Sequence, residues 1–173
     1  MQGWDHRERA GDVNCGALGR SLDRLFRLVK PPPQFAPLVR GIHHVAIVVS
    51  SIAEARKVYE GVLGLSAGEP EHVEDQKVNV LVTHTGTQRI ELVEPAAPDS
   101  PVSRFLAQRG GGLHHVAYRV DDIDAALAAL KRAGVRLIDE APRRGAGGTR
   151  VAFVHPQGMS GVLTELVEDR NSR

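Results

Sequence analysis

A chain of 173 residues with 42% hydrophobic content is long enough for one substantial core, or for two small modules that share one. Its 22 basic and 21 acidic residues nearly cancel, which excludes the long-range field that gathers nucleic acid or an anionic membrane and leaves a small molecule as the expected partner. A single cysteine, Cys15, excludes an intramolecular disulfide and fits a reducing cytoplasm, and no run of about 18 apolar residues is present to span a bilayer.

Residues 1–40 read as an N-terminal extension. The first twenty mix charge, glycine and polar residues without periodicity, and Leu22, Leu25, Phe26 and Val29 then fall at helical spacing before Pro31, Pro32 and Pro33 stop the run. A short amphipathic helix is expected here, packing on the domain or on a second subunit. Its arginines invite a targeting reading, but Asp5, Glu8, Asp12 and Asp23 fit poorly with an acidic-poor transit peptide.

A repeat begins after Arg40. GIHHVAIVV at 41–49 returns as GLHHVAYRV at 112–120, so His43 and His114, and His44 and His115, stand 71 positions apart. Each strand runs into a capped amphipathic helix. Ser50 or Ser51 precedes Ile52, Ala55, Val58, Tyr59 and Val62, and Asp121 or Asp122 precedes Ile123, Ala126, Leu127 and Leu130. Gly64 and Gly134 close the two helices, where a left-handed residue is least costly as glycine. Two β-rich runs follow in each copy: VNVLVTH and RIELVEP, then RVAFVHP and VLTELVED. Glu91 and Glu165 head matching E-L-V-E words. The expected domain therefore spans 41–168 as two βαβββ modules, about 41–95 and about 112–168, each forming a four-stranded curved sheet that faces a common cleft.

Strand side chains alternate between faces, so only one histidine of each pair can face a given cavity. His115 shares its face with Ala117 and Arg119, a less apolar set than the Val116, Tyr118 and Val120 that accompany His114. By the same parity His44 goes with Ala46, and Glu165 stands between Leu163 and Val167, where a carboxylate is costly unless a cation holds it. A lone strand histidine is usually a hydrogen-bonded core or surface residue, and a lone strand glutamate is usually solvated. Duplication at nearly equal spacing reverses that expectation and points to a metal site of His44, Glu91, His115 and Glu165. His43 and His114 are expected to be structural, Glu94 and Glu168 to be solvated at strand ends, and His72, His84 and His155 to lie outside the site.

Paired βαβββ modules carrying one His and one Glu each resemble the vicinal oxygen chelate superfamily, and the stretch from Gly41 to Glu168 resembles its methylmalonyl-CoA epimerases. The words HHVAIVV and VYEGVLGL carry the superfamily style; DSPVSRFL, GGGLHHVAYRVDDID, GTRVAFVHP and GVLTELVE carry the epimerase likeness. The resemblance implies an α+β fold of tandem βαβββ modules, with curved mixed sheets around a metal-containing cleft. It places the ligands at His44, Glu91, His115 and Glu165, a His2Glu2 set because this chain has Glu91 where some relatives carry Gln. One divalent ion per chain is implied, cobalt ranked first, with manganese, nickel, magnesium and zinc behind it. The implied activity is inversion of C2 of an acyl-CoA substrate through an enolate, with Glu165 as one base, in a homodimer.

The second base is open between Glu91 and the Glu74/Asp75 segment. The family's Pro-Glu-Gln-Gly-Val-like stretch reads HVEDQKVNV here, with Lys77 in place of the glycine. RRGAGGTR at 143–150 is either a flexible hairpin loop or a cradle for CoA phosphates. The alternative readings are a lactoylglutathione lyase-type isomerase, which would lack the DSPVSRFL and GTRVAFVHP words, and a non-catalytic ligand-binding protein of the same fold, against which retention of all four ligands argues.

Overall fold

The structure is a computed structural model that describes residues 38–169; the expected N-terminal helix and Cys15 lie outside them. Among the described residues nine strands form one hydrogen-bonded sheet in the order β2-β4-β5-β1-β6-β9-β8-β7, with β3 paired to β4 alone. Module one comprises β1 (Val39–Val48), helix α1 (Ile52–Tyr59), β2 (Ser66–Ala67), β3 (Glu71–Val73), β4 (Val78–Thr85) and β5 (Gln88–Pro95). A helix of the connection, α2 (Pro101–Arg109), leads to module two: β6 (Gly112–Val120), α3 (Ile123–Arg132), β7 (Arg143–Arg144), β8 (Arg150–Val154) and β9 (Thr164–Glu168).

The two modules were expected to form separate four-stranded sheets. They are instead joined edge to edge through the antiparallel pairing of β1 with β6. Each module pairs its first strand parallel to its last, β1 with β5 and β6 with β9. Joining the two histidine strands removes two exposed edges and makes one curved mixed sheet, a more economical use of backbone hydrogen bonds than two open sheets.

The sheet buries apolar side chains on both faces. On one, α1 covers Leu81 and Leu92 through Ile52, and α3 covers Val120, Ala152, Val154 and Leu166 through Ile123, Ala126 and Leu127. The other face carries Ala46, Val48, Val80 and Val93 in module one and Ala117, Val151 and Val167 in module two. Helix α2, to which the sequence reading gave no element, lies over the module-one part of this second face through Val102, Phe105 and Leu106. Pro101 opens it at a position that needs no intrahelical donor.

Both expected caps are present: the Ser51 hydroxyl accepts from Glu54 N–H at 3.3 Å and the Asp122 carboxylate from Ala125 N–H at 2.9 Å. Gly64 and Gly134 are left-handed, as expected, but only Gly134 closes its helix; α1 ends at Tyr59, and a turn separates it from Gly64. The stripe expected on α1 is only partly buried, because Ile52 packs inward while Val58 stays exposed and Val62 falls in the turn beyond the helix. Glu168 departs from its expected solvated place. It is buried and accepts from the Ile123 N–H at 3.1 Å and from Arg150 at 3.0 Å, so it ties the end of β9 to the start of α3.

Candidate metal centre

Pairing register brings the four duplicated residues together. On β1, Ala46 is flanked by Glu91 of β5 and His115 of β6; on β6, Ala117 is flanked by His44 of β1 and Glu165 of β9. Both alanines are fully buried. Each methyl group leaves space above the sheet into which the neighbouring imidazole and carboxylate lean, and the arrangement repeats across the modules with pseudo-twofold symmetry.

The strand parity expected from the sequence holds, since His44 and His115 are buried on the face of Ala46 and Ala117. Their Nε2 atoms lie 3.2 Å apart, and Glu165 Oε2 lies 3.2 Å from His44 Nε2 and 3.4 Å from His115 Nε2. That triangle has the spacing of adjacent donors around one cation with bonds of about 2.1 Å. Glu165 Oε2 is buried without a hydrogen-bond partner, and a buried carboxylate oxygen in that condition calls for a cation. Glu91 approaches from the other side of the ring, its Oε1 3.3 Å from His44 Nδ1. Two clusters able to hold a metal ion result among the described residues, His44–His115–Glu165 and His43–His44–Glu91, sharing His44.

Electrostatics separates the two carboxylates. Burial opposes ionisation of Glu165, but the imidazoles of His115 and His44 outweigh it and hold the acid at about 2. Burial raises Glu91, and the charges of His44 and His115 only partly offset it. Burial also opposes charge on His44, yet Glu91 and Glu165 together leave its pKa raised. His114, without a carboxylate of its own, is pushed down by burial to about 4.

The first histidines of the pairs stand closer to the site than parity implied. The β1–β6 register shifts between Ile42 and His44, and His43 Nδ1 comes to 2.8 Å from His44 Nδ1. His43 Nε2 lies 2.9 Å from Arg89 Nη1 and 3.5 Å from Asp169 Oδ2, so a ring that reads as structural is held by charged side chains on one side and lies against a ring of the centre on the other. His114 plays the equivalent part beside His115 and packs edge-on to Phe105 at 4.9 Å. His155 caps the turn at Pro156–Gly158, and His72 pairs with Glu74 and Asn79 in solvent, both outside the centre as expected.

Glu74 and Asp75 are exposed on a short turn, and neither lines the recess above the triangle; Gln76, from the same turn, does. Lys77 is left-handed at φ 51°, the conformation that suits the glycine it replaces. Phe153 is a site neighbour that sequence reasoning missed. It pairs with Glu165 in the β8–β9 register, and its ring meets His115 edge-on at 5.1 Å. Its signal was the same parity: a phenylalanine two residues from Val151 on the strand beside Glu165.

The model of the Glyoxalase/Bleomycin resistance protein/Dioxygenase superfamily matches residues 43–153. The uncharacterized protein YqjC of Bacillus subtilis is 45% identical over 132 residues, 76% of this chain and 94% of its own. The mitochondrial methylmalonyl-CoA epimerase of Bos taurus is 39% identical over 126 residues, 72% of each chain. A solved methylmalonyl-CoA epimerase in complex with methylmalonyl-CoA and NH4+ is 33% identical, covering 77% of this chain and 96% of its own, with a TM-score of 0.72. Among the described residues no helix is long and apolar enough to cross a membrane.

Proposed function

Because the chain belongs to the glyoxalase/bleomycin resistance protein/dioxygenase superfamily, and within it to the methylmalonyl-CoA epimerases, we propose that it interconverts the (2R) and (2S) forms of methylmalonyl-CoA. The observation that carries the reading is the buried His44–His115–Glu165 triangle with its orphaned carboxylate oxygen and Glu91 alongside.

We assign His44, Glu91, His115 and Glu165 to one divalent cation. When bound, it supplies Lewis-acid stabilisation for the oxyanion that develops on the thioester carbonyl. Two imidazoles and two carboxylates suit a borderline dication, with cobalt ahead of manganese, nickel, magnesium and zinc. The proton transfers fall to the chain's own side chains. Inversion takes a proton from one face of C2 and returns one to the opposite face, so it needs two acid/base groups on opposite sides. Glu165 and Glu91, related by the pseudo-twofold repeat, meet that need. Glu165 accepts the C2 proton of one epimer, Glu91 delivers a proton to the other face of the enolate, and the roles exchange in reverse. Val93, Val151 and Val167 line the recess and keep it apolar, which strengthens each charge interaction there. A homodimer and a cytoplasmic location complete the proposal, the latter supported by the single cysteine.

The test is metal analysis of the purified protein together with C2 proton exchange on methylmalonyl-CoA in deuterated water. One bound dication per chain and deuterium at C2 of both epimers are expected. Metal without exchange would refute the epimerase reading, and full exchange without metal would refute the centre.

A further inference from the structure

His43 is held between a charged side chain of each module. Its Nε2 atom lies 2.9 Å from Arg89 Nη1, near the start of β5, and 3.5 Å from Asp169 Oδ2, in the residue that follows β9. Those two groups also pair with each other at 3.5 Å. Only 7% of the His43 side chain and 7% of the Asp169 side chain are exposed, so the protein and not solvent supplies the partners of the ring. On its inner side, His43 Nδ1 lies 2.8 Å from His44 Nδ1, and the other nitrogen of His44, Nε2, is a corner of the triangle with His115 and Glu165. Two imidazoles in series therefore link a carboxylate and a guanidinium to the centre.

A neutral imidazole has one N–H and one lone pair, so each contact fixes the next. Arg89 can only donate. If its contact governs, His43 accepts at Nε2, carries its proton on Nδ1 and donates to His44 Nδ1; the His44 proton is then on Nε2, where it takes up the lone pair that a cation needs. The Asp169 carboxylate can only accept. If its contact governs, His43 carries its proton on Nε2 and accepts at Nδ1, the His44 proton sits on Nδ1, and His44 Nε2 is free to coordinate. Glu91 Oε1, 3.3 Å from His44 Nδ1, is the other acceptor at that nitrogen; with Glu91 drawn to the cation, His43 is left to take the N–H.

The matching histidine of module two has no such partner. His114 Nδ1 lies 2.9 Å from His115 Nδ1, but its ring packs edge-on to Phe105, and His114 forms no ion pair among the described residues. The pseudo-twofold repeat is thus broken behind one of its two imidazoles. Resting on the metal centre proposed above, we propose that Asp169, acting through His43, is a positioning residue of that centre: it selects the tautomer of His44 whose Nε2 coordinates, and Arg89 favours the opposite tautomer. A carboxylate behind a ligating imidazole fixes its tautomer and orientation and raises its basicity. Here a second imidazole carries that influence inward from the end of β9.

Nitrogen NMR of the histidine rings in the zinc-loaded wild type reads the tautomers directly, because zinc is diamagnetic. The His43 proton is expected on Nε2 and the His44 proton on Nδ1; a His43 proton on Nδ1 overturns the assignment. Zinc affinity by chelator competition measures the consequence. Asp169→Ala is expected to weaken zinc binding about tenfold or more. Adding Arg89→Ala is expected to recover about threefold, beyond whatever Arg89→Ala does on its own in the wild type. Loss of a purely structural ion pair, or of two charges acting independently on the cation, gives no such recovery, so an additive cycle also overturns the assignment. Should Asp169→Ala fail to fold, the wild-type spectrum decides alone. Wild-type protein that takes up no zinc overturns the metal centre and this assignment with it, whereas metal uptake without C2 exchange on methylmalonyl-CoA refutes the epimerase reading only, so the two failures are told apart.

Discussion

At the scale of residues, the centre depends on the smallest side chains as much as on the reactive ones. Ala46 and Ala117 are buried between an imidazole and a carboxylate, and their lack of volume lets those groups meet over the sheet. Glu165 is the residue on which holding a cation and moving a proton converge. Glu165→Gln keeps an amide oxygen near the imidazoles but removes the basic carboxylate, so epimerisation is expected to fall by about a hundredfold or more while metal is only partly lost. His115→Ala is expected to lose metal and activity together. Metal content and deuterium incorporation at C2 check both variants. Near-normal epimerisation by Glu165→Gln with full metal would remove Glu165 as a base and leave Glu91 as the carboxylate next to the triangle.

At the scale of elements, the joint between β9 and α3 shows how a strand end is fixed to a helix start. The Glu168 carboxylate takes the Ile123 N–H, one of the unpaired donors at the head of α3, and also holds Arg150, which reaches Asp124 at 2.8 Å. Glu168→Ala leaves that amide without its acceptor and Arg150 without its buried partner, at an expected cost of about 1–3 kcal/mol. Asp122→Ala, which removes an exposed cap of the same helix, is expected to cost about 1 kcal/mol. Urea denaturation midpoints of the two variants should show the larger loss for Glu168→Ala; the reverse order would mean that the solvent-facing cap, and not the buried joint, holds α3. Glu165 is three residues upstream on the same strand, so loosening the joint also loosens a side chain of the centre.

At the scale of the whole molecule, two modules share one site because β1 and β6 pair directly and put each histidine opposite an alanine of the other copy. A dication held by this charge cluster stabilises the folded chain further. A ligand bound by the folded chain alone adds about 4 kcal/mol at a thousandfold excess over its Kd, which corresponds to roughly 10 °C or more in Tm for a domain of this size. Calorimetry before and after chelation, with metal added back, measures this. An unchanged Tm would mean that the triangle binds no cation of consequence.

The sequence by itself determined the duplicated histidine and glutamate positions, the helix caps and the faces of the strands. Those follow from rules of short range: alternation in a strand, a side-chain oxygen three residues before an amide, glycine where φ is positive. Hence His44 and His115 could be chosen over His43 and His114 from their neighbours alone. The tertiary structure decided what depends on pairing between distant segments. Nothing local told that β1 and β6 join the modules into one sheet, that a register shift brings His43 against His44, or that Glu168 turns inward to meet Ile123 and Arg150. Nor did the sequence place α2 over the site face or bring Arg89 and Asp169 together at His43. A charge's neighbours are set by which strands lie side by side, and that follows from the summed burial of two apolar faces and not from any one motif.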